Sequence, residues 1–159
     1  MSDLKLKILL KIESAFECVK LGNGVGLFQA QGIDDYESSE ICQTYRNRDE
    51  KEDWRVIPLN DLNYCNSSLS FFDAEGMRFY LPAFMAADIQ GGFKFASVIY
   101  SLTSITEYSK TQFSLLNSAQ RESVSEYLAF MANHDDYEFE KSTILRALDE
   151  YWNNIQQVR

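Results

Sequence analysis

One histidine, three cysteines and two runs of carboxylates are what this chain offers to catalysis or metal binding. His134 stands beside Asp135 and Asp136, so a nucleophile would have to be brought to it from elsewhere in the chain. Turn and cap chemistry explains the same three residues without any reaction, with Asp135 or Asp136 as the N-cap of a following helix. Cys18, Cys42 and Cys65 are widely spaced and odd in number, which is no disulfide framework. With a single imidazole they make no zinc site either, and no metal or cofactor is expected.

The carboxylates fall in two clusters, Asp34, Asp35 and Glu37, then Asp49, Glu50, Glu52 and Asp53. Oxygen ligands of this kind suit a hard cation, but the alternating ligands, central glycine and terminal glutamate of an EF-hand are absent. The clusters read instead as solvated faces or as the landing site of a basic partner. Gly22-Asn23-Gly24-Val25-Gly26 resembles a phosphate loop only superficially. It follows a helical pattern rather than a strand and lacks the Lys-Ser/Thr of a P-loop, so a flexible connection is the expected role.

The densest chemistry lies from Leu69 to Met85. Phe71, Phe72, Phe79, Tyr80 and Phe84 cannot all leave a helix in one direction, so the segment is either buried on every side or faces a partner or ligand. Pro82 inside it removes an amide donor and crowds the carbonyl of Arg78, which predicts a kink or a break. Such a bend could open a pocket walled by Glu75, Arg78, Tyr80 and Pro82.

Here the chain resembles a small family of uncharacterised bacterial proteins marked by a serine-capped segment reading like FRYYLPAFL. The corresponding residues are Met77-Arg78-Phe79-Tyr80-Leu81-Pro82-Ala83-Phe84-Met85. Trp54 followed by Ile57-Pro58, and Leu116-Asn117-Ser118-Ala119-Gln120-Arg121 opening a later helix, are similar to it too. The resemblance spans about residues 15–152 and departs in the glycine-rich loop, where family members more often carry proline. It implies a bacterial, cytoplasmic source and no activity or catalytic residue.

The elements that must position these groups are helical. Leu4, Ile8, Ile12, Ala15, Phe16 and Val19 predict a first helix over residues 2–20. Ile41 and Tyr45 are spaced to face inward from a solvated second helix within residues 34–53. A short helix over 59–66 buries Leu62 and Cys65. Ser70, with Asp73 three residues on, caps the proline-containing helix. Residues 93–106 suit a strand at Val98-Ile99-Tyr100, but Phe95, Val98, Ile99 and Leu102 favour a helix. Asn117 with Gln120 forms a capping box ahead of Val124, Tyr127, Leu128 and Met131. A last helix starts near Asp135 or Asp136 and carries Ile144, Leu145, Leu148, Tyr151, Trp152 and Ile155. The expected fold is all-α, a single compact domain over residues 1–159 with six or seven helices and a proline-kinked central one.

Composition bounds the function. The 159 residues are 45% hydrophobic with only 7 Gly and 2 Pro, enough for a core that buries roughly 70% of the unfolded chain's surface. Fifteen basic side chains against 24 acidic ones give a net charge of −9, which disfavours nucleic acid and anionic membrane as ligands. Residues 34–53 alone hold eight acids against Arg46, Arg48 and Lys51, a net −5. No leader pattern or apolar run of spanning length is evident, so the cytosol is the expected compartment. The expected function is a non-enzymatic acidic protein-binding domain of immunity or antitoxin type, neutralising a basic toxin. The alternative is an enzyme or small-molecule-binding protein with its pocket near the Pro82 bend.

Overall fold

The structure is a computed structural model that describes residues 2–154. Among these residues there are nine α-helices and no strand. The first, α1 (Asp3–Ala15), starts where the Ser2 side chain accepts the Lys5 amide, and it buries Ile8, Leu9 and Ile12. It stops short of the expected Lys20. Cys18 takes a left-handed φ of 64°, which an L-residue cannot continue as a right-handed helix.

The one helix expected within residues 34–53 is present, and an unexpected helix precedes it. The unexpected helix is α2 (Leu27–Asp34) and the expected one is α3 (Ser39–Arg48). The N-cap of α2 is Gly26, which has no side chain with which to cap. Its place is taken from afar, since the Asp49 carboxylate accepts the amides of Phe28 at 2.8 Å and Gln29 at 3.1 Å. A Cβ on Gly26 would collide with the Asp49 carboxylate, so only glycine admits this cap. The second helix, α3, begins at Ser38, whose hydroxyl accepts the Ile41 amide. It buries Cys42 rather than the expected Ile41, which is exposed.

A 3₁₀ turn at Trp54–Val56 leads into α4 (Leu59–Tyr64), which buries Leu62 with Cys65 behind it, as the pattern predicted. The central helix is α5 (Ala74–Ile89). Its N-cap is Asp73 rather than Ser70, with the carboxylate accepting the amides of Gly76 and Val25. It runs unbroken through Pro82, and the residues flanking that proline from Phe79 to Met85 are all buried. Aromatic density in this segment therefore means burial on every side. Phe72, Phe79, Tyr80 and Phe84 stack or meet edge to face within the core.

Around α5 pack α1, α4, α6 (Ser97–Thr103) and α7 (Glu107–Gln112), while α8 (Ser118–Ala132) lies against α1 and α9 (Lys141–Ala147). Helix α6 confirms the helical alternative for its stretch, with Val98, Ile99 and Leu102 buried and Phe95 outside it and exposed. Helix α7 was not anticipated; its six residues are fixed by a capping box between Thr106 and Ser109. Helix α8 has the predicted Asn117–Gln120 box, and Val124, Tyr127, Leu128 and Met131 are buried. Gln120 also reaches the Ala15 carbonyl at the end of α1.

The last helical stretch begins later than expected. His134 caps a 3₁₀ turn at Asp135–Tyr137 through its own Nδ1, and α9 follows, passing into a π-helical turn at Leu148–Trp152. Ile144, Leu148, Tyr151 and Trp152 are buried, whereas Leu145 is exposed. Ile155 lies outside the described residues.

Candidate functional site

The two carboxylate clusters have opposite fates. Asp49 is only 7% exposed. Burial raises its carboxyl above the ordinary aspartate range, and the amides of Phe28 and Gln29 with the charges of Lys51 and Arg46 oppose that rise. Glu50 accepts the amides of Glu52 and Asp53, and its carbonyl accepts the Tyr80 hydroxyl at 2.8 Å. Asp53 caps the Trp54–Val56 turn and holds Arg55, and those bonds lower its carboxyl below the usual range. Glu52 pairs with Lys20. The stretch expected to capture a partner is mostly engaged in shaping its own loop, and Asp49 in particular is a helix cap rather than a surface acid.

The earlier cluster stays outside. Asp34 is half-buried at the end of α2, while Asp35, Glu37 and Glu40 are exposed around the turn into α3. Tyr36 sits at the centre of that turn, 96% exposed with φ 60°. Its amide bonds to the Ile33 carbonyl and that of Glu37 to the Gly32 carbonyl, the double closure that normally places glycine at this position. A tyrosine there bears backbone strain of about 1–2 kcal/mol. The sequence reading passed over Tyr36; the signal was a large aromatic between acids, with Ser38 ready to cap the next helix.

Beside this turn, α2, α3 and α4 enclose a cleft of about 430 Å³. Its walls include the rings of Phe28, Tyr45 and Tyr64 and the carboxylates of Asp35 and Asp61, with no basic side chain. Phe28 and Tyr64 are stacked, their centroids 5.8 Å apart at 27°. Gln31 donates to Asp35 through Nε2 at 3.2 Å, leaving its buried Oε1 without a hydrogen-bond partner. Burial, then the negative charge of Glu37, raises the Tyr45 hydroxyl above its ordinary value.

The residues expected around Pro82 do not form one pocket. Glu75 and Arg78 share a cleft with Cys18, Lys20 and Gln120, of about 630 Å³. Tyr80 points into the core, and burial pushes its hydroxyl well above the tyrosine range. Pro82 lies two turns deeper than Glu75 and is covered. Glu75 accepts the Asn23 amide, and Arg46 donates to the carbonyls of Gly22 and Gly24. The glycine-rich loop is thus tied by hydrogen bonds both to the start of α5 and to α3, where a flexible connection was expected.

Two buried charges lie away from these clefts. Arg121 donates to the carbonyls of Leu116 and Phe113 and lies over the rings of Tyr151 and Trp152, which gives the Leu116–Arg121 feature a packing role. Asp88, on the inner end of α5, accepts the Tyr127 hydroxyl. Burial raises its carboxyl to about 6, against the lowering effects of that bond and of His134. His134 accepts the Asp136 amide through Nδ1, which occupies the imidazole in turn capping. Among the described residues, no group of three or more His, Cys, Asp or Glu side chains could hold a metal ion. No helix among them is long and apolar enough to cross a membrane.

No curated protein and no solved structure matches the chain. Residues 5–156 match the family of unknown function DUF6714. That match takes in every helix from α2 to α9, both clefts and the Tyr36 turn, and the chain belongs to that family.

Proposed function

We propose that the chain is a non-enzymatic binding domain for a basic protein, engaged through the turn between α2 and α3. Tyr36 carries this reading. A tyrosine held in a left-handed conformation and almost fully exposed costs stability and contributes nothing to the core. Strain of that kind persists where the side chain has an external task, and tyrosine is among the residues that anchor protein interfaces. Asp35, Glu37 and Glu40 surround it with exposed negative charge, which steers a basic partner at encounter.

The immunity-type role belongs to the same proposal: a small acidic protein of a bacterial cytoplasm that covers a basic toxin. Co-expression with the product of the neighbouring gene and a growth assay test it. Rescue of growth together with a salt-sensitive complex is the expected result. A neighbouring product that is not toxic, or one that binds equally well to a Tyr36→Ala protein, would sink the reading. The cleft of Glu75 and Arg78 supports the rival small-molecule reading only by its size, and its four charged walls, Glu17, Lys20, Glu75 and Arg78, cancel.

A further inference from the structure

We infer that the cleft between α2, α3 and α4 is a receptor for the guanidinium group of an arginine side chain presented by the partner. The inference rests on the basic-partner reading and adds the chemistry of its anchor. Three aromatic rings and two carboxylates line the cleft, and no lysine, arginine or histidine neutralises them. A neutral aromatic or aliphatic guest would leave Asp35 and Asp61 facing it uncompensated, and an anion would be repelled. A cation meets both needs at once, since ring faces attract positive charge and carboxylates pair with it.

Among cations, guanidinium fits best. It is planar and weakly hydrated, stacks on aromatic faces and offers a fork of donors to carboxylates, whereas an ammonium is compact and strongly hydrated. Stacked Phe28 and Tyr64 supply an extended ring surface. Asp35 is steadied by the Gln31 amide, and Asp61 comes from the opposite helix, α4. The volume of about 430 Å³ accommodates one long side chain rather than a folded segment.

A smaller cleft of about 190 Å³ adjoins this one, shares Phe28 and Asp61, and is lined by Arg48 together with Asp49 and Glu50, whose carboxylates accept amides of their own neighbourhood. Arg48 makes no ion pair among the described residues. Its charge stands on the wall of that neighbouring cleft and opposes an incoming cation. Removing it therefore strengthens binding, which a merely hydrophobic cleft would not show.

The test is an NMR titration of the full chain, following the aromatic side chains, with N-acetyl-arginine methylamide and its uncharged citrulline counterpart. Expected are saturable shifts at Phe28, Tyr45 and Tyr64 with the arginine compound alone. The double variant Asp35→Asn/Asp61→Asn should bind about tenfold more weakly, and Arg48→Gln a few-fold more tightly. Backbone spectra check that each variant remains folded. Equal shifts with the citrulline compound, shifts confined to other residues, or unchanged affinity in the double variant would overturn the inference.

An oligoarginine peptide separates this inference from the function on which it rests. If the peptide binds at the Tyr36 turn, and Glu37→Gln/Glu40→Gln weakens it while Tyr64→Ala does not, the cleft is no receptor and the basic-partner reading stands. If the arginine compound fills the cleft but the peptide is indifferent to both sets of variants, arginine recognition survives as a small-molecule property and the basic-partner reading falls.

Discussion

The turn from Asp34 to Glu40 and the loop from Asp49 to Asp53 each hold four acids and put them to opposite uses. In the loop, carboxylates accept backbone amides and a neighbouring arginine, so their charge is absorbed by the fold. In the turn, Asp35, Glu37 and Glu40 face water around a strained, exposed tyrosine. The difference teaches that net charge in a window measures neither the available charge nor its purpose. What decides is whether unsatisfied amides lie within reach. A helix that begins at glycine has amides to satisfy, and Asp49 is the nearest group able to satisfy them.

The sharpest way to break the contrast is Asp49→Ala. It removes two charge-assisted bonds at once and leaves two amides of α2 without acceptors, at a cost of roughly 3 kcal/mol. Chemical denaturation of the two proteins measures it. A loss below about 1 kcal/mol would make Asp49 an ordinary surface acid and erase the distinction between the two stretches.

Asp88 extends the inward class and gives it a pH signature. Folding raises its pKa from 3.8 to about 6, so the folded state holds the proton more tightly than the unfolded chain. Its contribution is fully present below pH about 4 and is lost as pH rises through about 6, a decline of roughly 2–3 kcal/mol. Tyr127 bonds to it, and His134 and Asp136 act on it from across the helix end with opposite signs. In Asp88→Asn the amide oxygen still accepts the Tyr127 hydroxyl, and that part of the pH dependence disappears. Asp49, raised in the same direction by burial, leaves a weaker slope behind. Identical denaturation midpoints at pH 4 and pH 6.5 in the unsubstituted protein, with Asp88→Asn no different, would contradict the assignment.

Where side chains reported on their own neighbourhood, the sequence could be read. The Asn117–Gln120 box, the stripe from Val124 to Met131 and the short helix of Leu62 announce themselves within a few residues. What stayed hidden depends on distant partners. Helix α2 has a weak apolar pattern and a glycine cap, and becomes legible only when Asp49 is placed at its start. Glu75 and Arg78 are three residues apart, share a face and line one cleft. Tyr80 lies on another face, and Pro82 on the same face two turns deeper, where depth and not periodicity separates them. The Tyr36 turn escaped because strain is a backbone property that residue types announce only when glycine obeys it.

On the outward side, Tyr36→Gly should stabilise the chain. Relief of the left-handed strain outweighs the added freedom of glycine in the unfolded state, for a gain of about 0.5–1 kcal/mol. Association with the basic partner should weaken at the same time. A gain in stability with loss of binding marks a residue kept for function. A loss of stability would mean that Tyr36 packs in a way its exposure denies.

The smallest effect on stability, and the most informative on function, belongs to Asp35→Asn/Glu37→Gln/Glu40→Gln. All three side chains are exposed, so the denaturation midpoint should move by less than about 0.5 kcal/mol. Association is a different matter, because exposed charges act over about 8 Å at physiological ionic strength and set the rate of encounter. Three carboxylates around Tyr36 should speed capture of a basic protein and make that speed fall with salt. Neutralising them slows association and flattens its salt dependence; in Glu37→Gln/Glu40→Gln, which spares the Asp35 of the proposed cleft, dissociation changes less. The matching set in the loop, Glu50→Gln/Glu52→Gln, should change association less, because Glu50 is half-buried and bonded to its own loop and Glu52 is paired with Lys20. Rates from stopped-flow mixing at two salt concentrations, with the partner in hand, compare the two sets directly. If the loop substitutions slow association as much as the turn substitutions do, charge is read by the partner as a total, and the distinction between an inward and an outward acidic stretch has no functional content.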